Sequence, residues 1–127
     1  MNEAARRAVI QRYLDAYNAF DIERMLAQLA DDVHFEDVSG GQVTATADGI
    51  DAFRRLAEQG CRLFSEREQR ITALAFDGDT ARVEIAWRGR FAVDVPGGPR
   101  AGTQAALQGR SEFTFDGLRI ARLVDAS

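Results

Sequence analysis

The sequence predicts an α+β domain in which helices come first and a curved antiparallel sheet follows. Three observations carry this. Apolar side chains recur at helical spacing through residues 3–29 and again through 49–64. From residue 68 onward the period changes to two, the mark of strands with one buried face. Between the alternating runs stand the tight-turn signals Asp77-Gly78-Asp79 and Asp116-Gly117. Helices segregated ahead of a meander indicate α+β and not a doubly wound fold.

The first helix is expected over Glu3 to Ala19, because Ile10, Tyr13, Leu14 and Tyr17 fall at i, i+3, i+4 and i+7 and share one stripe. Asp21 has the chemistry of an N-cap for a second helix, with Ile22, Met25, Leu26 and Leu29 on its buried face. Asp31 and Asp32 break that pattern and read as a solvated helix end. Val33 to Val38 then reads as a strand with Val33, Phe35 and Asp37 on one face and His34 and Glu36 on the other. Residues 39–47 read as a polar loop around Gly40 and Gly41.

A third helix is expected from Gly49 to Phe64, capped by Asp48, with Ile50, Phe53, Leu56, Ala57, Cys61 and Phe64 inward. Residues 68–76 form a strand. After the turn, Ala81, Val83, Ile85 and Trp87 alternate with Arg82, Glu84, Ala86 and Arg88, and Phe91, Val93 and Val95 continue the alternation to a turn at 95–102. A long strand from Gln104 to Phe115 and a last one from Leu118 to Val124 complete the chain. A sheet of this kind wrapped round one long helix encloses a conical cavity, a natural small-molecule site.

Length and composition bound the function. One domain, 1–127, accommodates the 127 residues and buries a core without disulfides or metals. A net charge of −4 argues against nucleic acid, which needs a basic stripe. All sixteen basic residues are arginine, which reads as genome composition. Cys61 is the only cysteine and reads as a buried structural thiol. His34, the only histidine, lies on the outer strand face beside Glu36 as a surface or interface ion pair; no three ligands converge for a metal. No apolar run reaches the ~20 residues of a membrane span, and residues 1–8 are too polar for a signal peptide, so a cytoplasmic protein is expected.

Tyr13 and Asp37 face one cavity on this reading, and a phenol with a carboxylate in an apolar pocket is the minimum equipment for moving a proton beside a carbonyl. Tyr17, Phe35, Phe53, Trp87, Phe91 and Phe113 are the candidate apolar wall, with plain core as the alternative for each. Ser111 alternates with Phe113 and Phe115 and also points inward.

The runs QRY at 11–13, NAFD at 18–21 and LADDVHFED at 29–37 resemble bacterial ketosteroid isomerases of the nuclear-transport-factor-2-like superfamily, and AWRGR at 86–90 is a weaker echo. The long hairpin with its PGGP turn and the run SEFTFDGLRI at 111–120 look more like the SnoaL-like branch, which includes polyketide cyclases. The resemblance implies a curved-sheet cone and no cofactor. It implies Tyr13 as oxyanion donor and Asp37 as general base. Ser111 falls where the isomerases carry a second, protonated acid; a hydroxyl is the weaker donor, and losing one oxyanion donor typically costs about 10²–10³ in rate.

The expected ligand is a hydrophobic carbonyl compound and the expected chemistry an isomerisation, cyclisation or dehydration through an enolate. The alternatives are a non-catalytic binding or assembly protein of the same fold, and an epoxide hydrolase of the limonene type, which needs an acid–arginine–acid cluster such as Asp37, Arg110 and Asp125. The resemblance also implies a homodimer through the outer sheet face, where Arg82, Glu84, Arg88 and Arg90 lie.

Overall fold

The computed structural model describes residues 2–127. Helix α1 (Glu3–Asn18) opens the chain, started by the Asn2 side chain, which accepts from the Ala4 amide. A short α2 (Ile22–Leu26) follows; Asp21 caps it by accepting from the Arg24 amide, as its sequence position predicts. Then come β1 (Leu29–Ser39), β2 (Gln42–Asp48), α3 (Ile50–Leu63), β3 (Phe64–Asp77), β4 (Thr80–Phe91), β5 (Gln104–Asp116) and β6 (Arg119–Ala126).

The six strands form one curved, unclosed sheet in the order β2-β1-β6-β5-β4-β3. Neighbours pair antiparallel except β1 and β6, which run parallel. This one parallel junction joins the early β1–β2 hairpin to the late four-strand meander. It therefore brings residues near 37 beside residues near 125. Helix α1 lies across β3, and α3 covers β1, β2 and β3. Ile10, Leu14, Val33, Val83, Phe113, Ile120 and Leu123, all fully buried, fill the space between them. At one end the buried Arg6 reaches the Gly117 carbonyl and the Asp79 carboxylate and lies over the Phe115 ring.

Several expected boundaries shift. Residues 39–47 are not a loop: Gly40 and Gly41 take positive φ in a tight turn, and 42–48 pair with β1. A strand that is mostly exposed on both faces lacks the alternation that would announce it. Leu29 starts β1 instead of ending α2, and stays buried there. Asp31 and Asp32 are exposed strand residues. Asp48 does not cap α3; it belongs to β2 and its carboxylate meets His34, while Gly49 with φ 88° turns the chain into the helix. Val93 and Val95 lie outside β4, which ends at Phe91, and Val93 is exposed. The last strand runs beyond Val124 to Ala126. Cys61 is half-buried, not buried, with its Sγ 3.6 Å from a guanidinium nitrogen of Arg67.

Candidate active site

The concave face of the sheet, α1 and α3 enclose a cavity of about 540 Å³. Its chemistry begins with sheet register. Asp37 on β1 stands opposite Asp125 on β6, and Asp125 stands opposite Ser111 on β5. Directly paired residues point to the same face, and adjacent strands lie about 4.8 Å apart. Two carboxyls and a hydroxyl thus form one lateral row, and all three line the cavity. A register shift between Asp37 and Val38 in the β1–β2 pairing sits beside this row, where bulges commonly re-aim a side chain.

The two acids differ in setting. Asp125 is sunk in the cavity, and its Oδ1 accepts from the Ser111 hydroxyl at 2.6 Å. Burial pushes its carboxyl up to about 7; the Ser111 hydrogen bond opposes the shift and the Asp37 charge adds to it. Asp37 stands at the mouth, exposed to solvent, and partial burial alone raises its carboxyl. Its carbonyl oxygen, not its carboxylate, accepts from Thr44.

Tyr13 reaches the cavity from α1. Its ring is 3 % exposed and held edge-on by Phe113 at 5.9 Å and tilted against Phe53 at 6.4 Å. Among the described residues no fully buried side-chain nitrogen or oxygen lacks a partner, and no hydrogen bond acts on the Tyr13 phenol. Its hydroxyl is therefore open to the cavity that Tyr13 lines. Burial holds its pKa well above the ordinary tyrosine value; Asp125, Tyr17 and Asp37 add to the rise, and Arg67 opposes it. The phenol is a neutral donor at any physiological pH.

One turn further along α1 lies a second polar group. The Tyr17 hydroxyl accepts from Trp87 Nε1 at 3.1 Å. Arg67 donates Nε–H to the Tyr17 carbonyl at 2.9 Å and lies 3.7 Å from the centre of the Tyr17 ring. Asn18 clamps α1 to β3 through both the amide and the carbonyl of Gln69. Phe64 packs between Trp87 and Phe91 at 5.2 and 4.9 Å. Gly89 makes room for the indole: a Cβ there would lie 2.7 Å from the Trp87 ring.

Among the sequence candidates, Tyr13, Asp37 and Ser111 do line one cavity, as do Tyr17, Phe35, Phe53, Trp87 and Phe91. Phe113 does not: it is fully buried beneath the Tyr13 ring and belongs to the core. The Ser111 proton is engaged by Asp125, so Ser111 orients that acid. Arg110 reaches the cavity rim but is exposed and forms no ion pair with Asp37 or Asp125, so these three residues do not form the acid–arginine–acid cluster. No group of three or more metal-ligating side chains converges among the described residues, and none of their helices is long and apolar enough to cross a membrane.

Asp125, expected only in the acid–arginine–acid alternative, and Arg67, not expected in the site at all, also line the cavity. Their signals were local and short. Asp125 is two residues beyond the inward Leu123, so carrying the alternation one step past Val124 reaches it. Arg67 and Gln69 alternate with Glu66 and Glu68 near the start of β3, and Arg67 lies just ahead of the strand expected from residue 68.

Comparison with known proteins agrees with this architecture. A candidate polyketide cyclase from Xanthomonas campestris pv. campestris is 24% identical and superposes with a TM-score of 0.86 over 100% of this chain and 93% of that one. A protein of ketosteroid isomerase-like fold from Catenulispora acidiphila, solved with trimethylamine, is 17% identical with a TM-score of 0.75, over 92% of this chain and 82% of its own. TerC, co-crystallised with polyporic acid, is 16% identical with a TM-score of 0.76, over 95% and 89%. No protein of curated function matches the sequence. The SnoaL-like domain model matches residues 10–123, nearly the whole chain, and the protein therefore belongs to the SnoaL-like family within the nuclear-transport-factor-2-like superfamily.

Proposed function

We propose that the protein is a cofactor-free proton-transfer enzyme of the isomerase, cyclase or dehydratase type, acting on a hydrophobic carbonyl compound through an enolate. The observation that carries this reading is the pairing of Asp37 with Asp125 across adjacent strands, in one cavity with the unpartnered hydroxyl of Tyr13. Two acids in unlike surroundings can hold different protonation states at one pH.

Asp37, open at the mouth, is the base. It removes a proton from the carbon beside the carbonyl, and the electron pair of that C–H bond moves to the carbonyl oxygen. Tyr13 and the neutral form of Asp125 donate hydrogen bonds to the developing oxyanion. Ser111 occupies Oδ1 of Asp125 and leaves Oδ2 free for that donation. Protonated Asp37 then returns its proton to another carbon, which isomerises the substrate. Alternatively the enolate carbon attacks a second carbonyl, and Asp37 protonates the new alkoxide. The solved relatives that hold small molecules support a ligand cavity in this chain. The broad outer sheet face, with cations and anions interspersed, is the surface proposed for a homodimer, which sedimentation equilibrium tests.

The test is α-hydrogen exchange of β-tetralone in deuterated water, followed by proton resonance. Wild type accelerates exchange, and Asp37→Asn loses about 10²–10⁴ of that acceleration while still binding the ketone. A wild type that binds β-tetralone without accelerating exchange leaves a binding protein in place of the enzyme.

A further inference from the structure

Arg67 is a cation without a counter-ion inside a cavity that already holds two acids. It is only 7 % exposed. Its neighbours on β3, Glu66 and Glu68, face outward and pair with Arg90 and Arg88. Among the described residues no carboxylate lies within ion-pair distance of Arg67. Buried guanidinium groups ordinarily have such a partner.

A structural role accounts for part of this. The Nε–H bond to the Tyr17 carbonyl satisfies the C-terminal end of α1, where a positive charge is favourable. The rings of Tyr17 and Phe20, at 3.7 and 4.4 Å, hold the guanidinium plane. Nη2 meets only the soft Cys61 sulfur at 3.6 Å. That uses two of five N–H donors. Nη1 has no protein partner, and since no fully buried nitrogen among the described residues is unpartnered, Nη1 is open. It lies beside Gly60, where an added Cβ would come within 3.3 Å, and Gly60 and Arg67 both line the cavity.

Along β4, Arg67 pairs with Gly89 while Ser111 of the acid row pairs with Val83, six residues away. The cavity thus has an acidic pole and a cationic pole, joined by Phe53, Leu56, Ile85 and Trp87. We infer that Arg67 binds an anionic group of the ligand, so that the substrate is an apolar small molecule carrying a carboxylate or an equivalent anion at the end remote from the reacting carbonyl. This rests on the cavity being the ligand site proposed above and adds the substrate class.

The test is calorimetric binding of naphthylacetate and of its neutral isostere naphthylacetamide, neither of which reports on proton transfer. Wild type binds the acid about tenfold or more tighter than the amide, as a charge-assisted bidentate contact in a shielded site should provide. Arg67→Gln abolishes or reverses that preference, because only Asp37 and Asp125 then act on the anion, and keeps the affinity for the amide. Arg67→Lys retains a reduced preference. Equal wild-type affinity for the two probes, or no binding of the acid, overturns the inference whether or not the variants fold. A preference unchanged in Arg67→Lys and Arg67→Gln also overturns it. An Asp37→Asn protein that keeps the acid preference but exchanges β-tetralone as fast as wild type defeats the proton-transfer reading and leaves this one standing.

Discussion

The two faces of the same sheet treat charge in opposite ways. On the outer face Arg82 meets Asp77 and Glu112, Arg88 meets Glu68, Arg90 meets Glu66, and Arg122 meets Glu36. These are exposed pairs, each worth about 0–1 kcal/mol. On the inner face Asp37, Asp125 and Arg67 have no opposite charge within ion-pair distance, and the cavity wall around them is largely apolar. Outer charges are solvated and spend their hydrogen bonds on each other. Inner charges keep unspent donors and acceptors, and burial shifts the protons of the acids. Ionisable groups gathered in a cavity without an opposite charge cost stability, and that supports the site proposed above.

Perturbing the inner face should therefore change activity strongly and stability in unusual directions, while the outer face should do little of either. Removing the Tyr13 hydroxyl as Tyr13→Phe deletes the proposed oxyanion donor and leaves the ring packing on Phe113 intact. Exchange of β-tetralone should fall about 10²–10³-fold with the fold retained; a loss under threefold would place Tyr13 in the core and not in the site.

Asp125→Asn should stabilise the protein at neutral pH. The carboxyl has an ordinary value near 3.8 when unfolded and about 7 when folded. The unfolded chain therefore sheds this proton first, and wild-type stability, full below about pH 4, falls as pH rises towards 7. The difference amounts to a few kcal/mol. Urea unfolding at pH 4 and pH 8 should show the variant more stable than wild type only at the higher pH. The wild-type exchange rate should decline above about pH 7 as neutral Asp125 is lost; a rate rising through pH 7 would exchange the roles of Asp125 and Asp37.

The smallest effect belongs to the outer face. His34 bonds Asp48 at 2.5 Å and Glu36 at 2.8 Å, which raises its pKa, Asp48 contributing most. A raised histidine stabilises fully below its unfolded value near 6.5 and loses that contribution as pH rises through the folded value. His34→Gln should cost under about 1 kcal/mol at pH 6 and nothing at pH 9, with exchange activity unchanged. A larger cost would make this cluster more than a surface ion pair.

Periodicity by itself determined the α+β class, the amphipathic α1 with Tyr13 on its inner stripe, the inward sides of Asp37 and Ser111, and the turns at 77–79 and 116–117. Each depends on side-chain spacing within one segment, where the period of the backbone decides which residues share a face. Sequence could not supply partners. The parallel pairing of β1 with β6 joins residues nearly ninety positions apart, and only that pairing sets Asp125 beside Asp37 and gives the Ser111 proton a destination. Arg67 reads locally as one of several charges at a strand edge; its lack of a carboxylate is a fact about every other element packed around it. Faces are local properties of a chain, whereas protonation, burial and unspent hydrogen bonds are set by what the fold brings alongside.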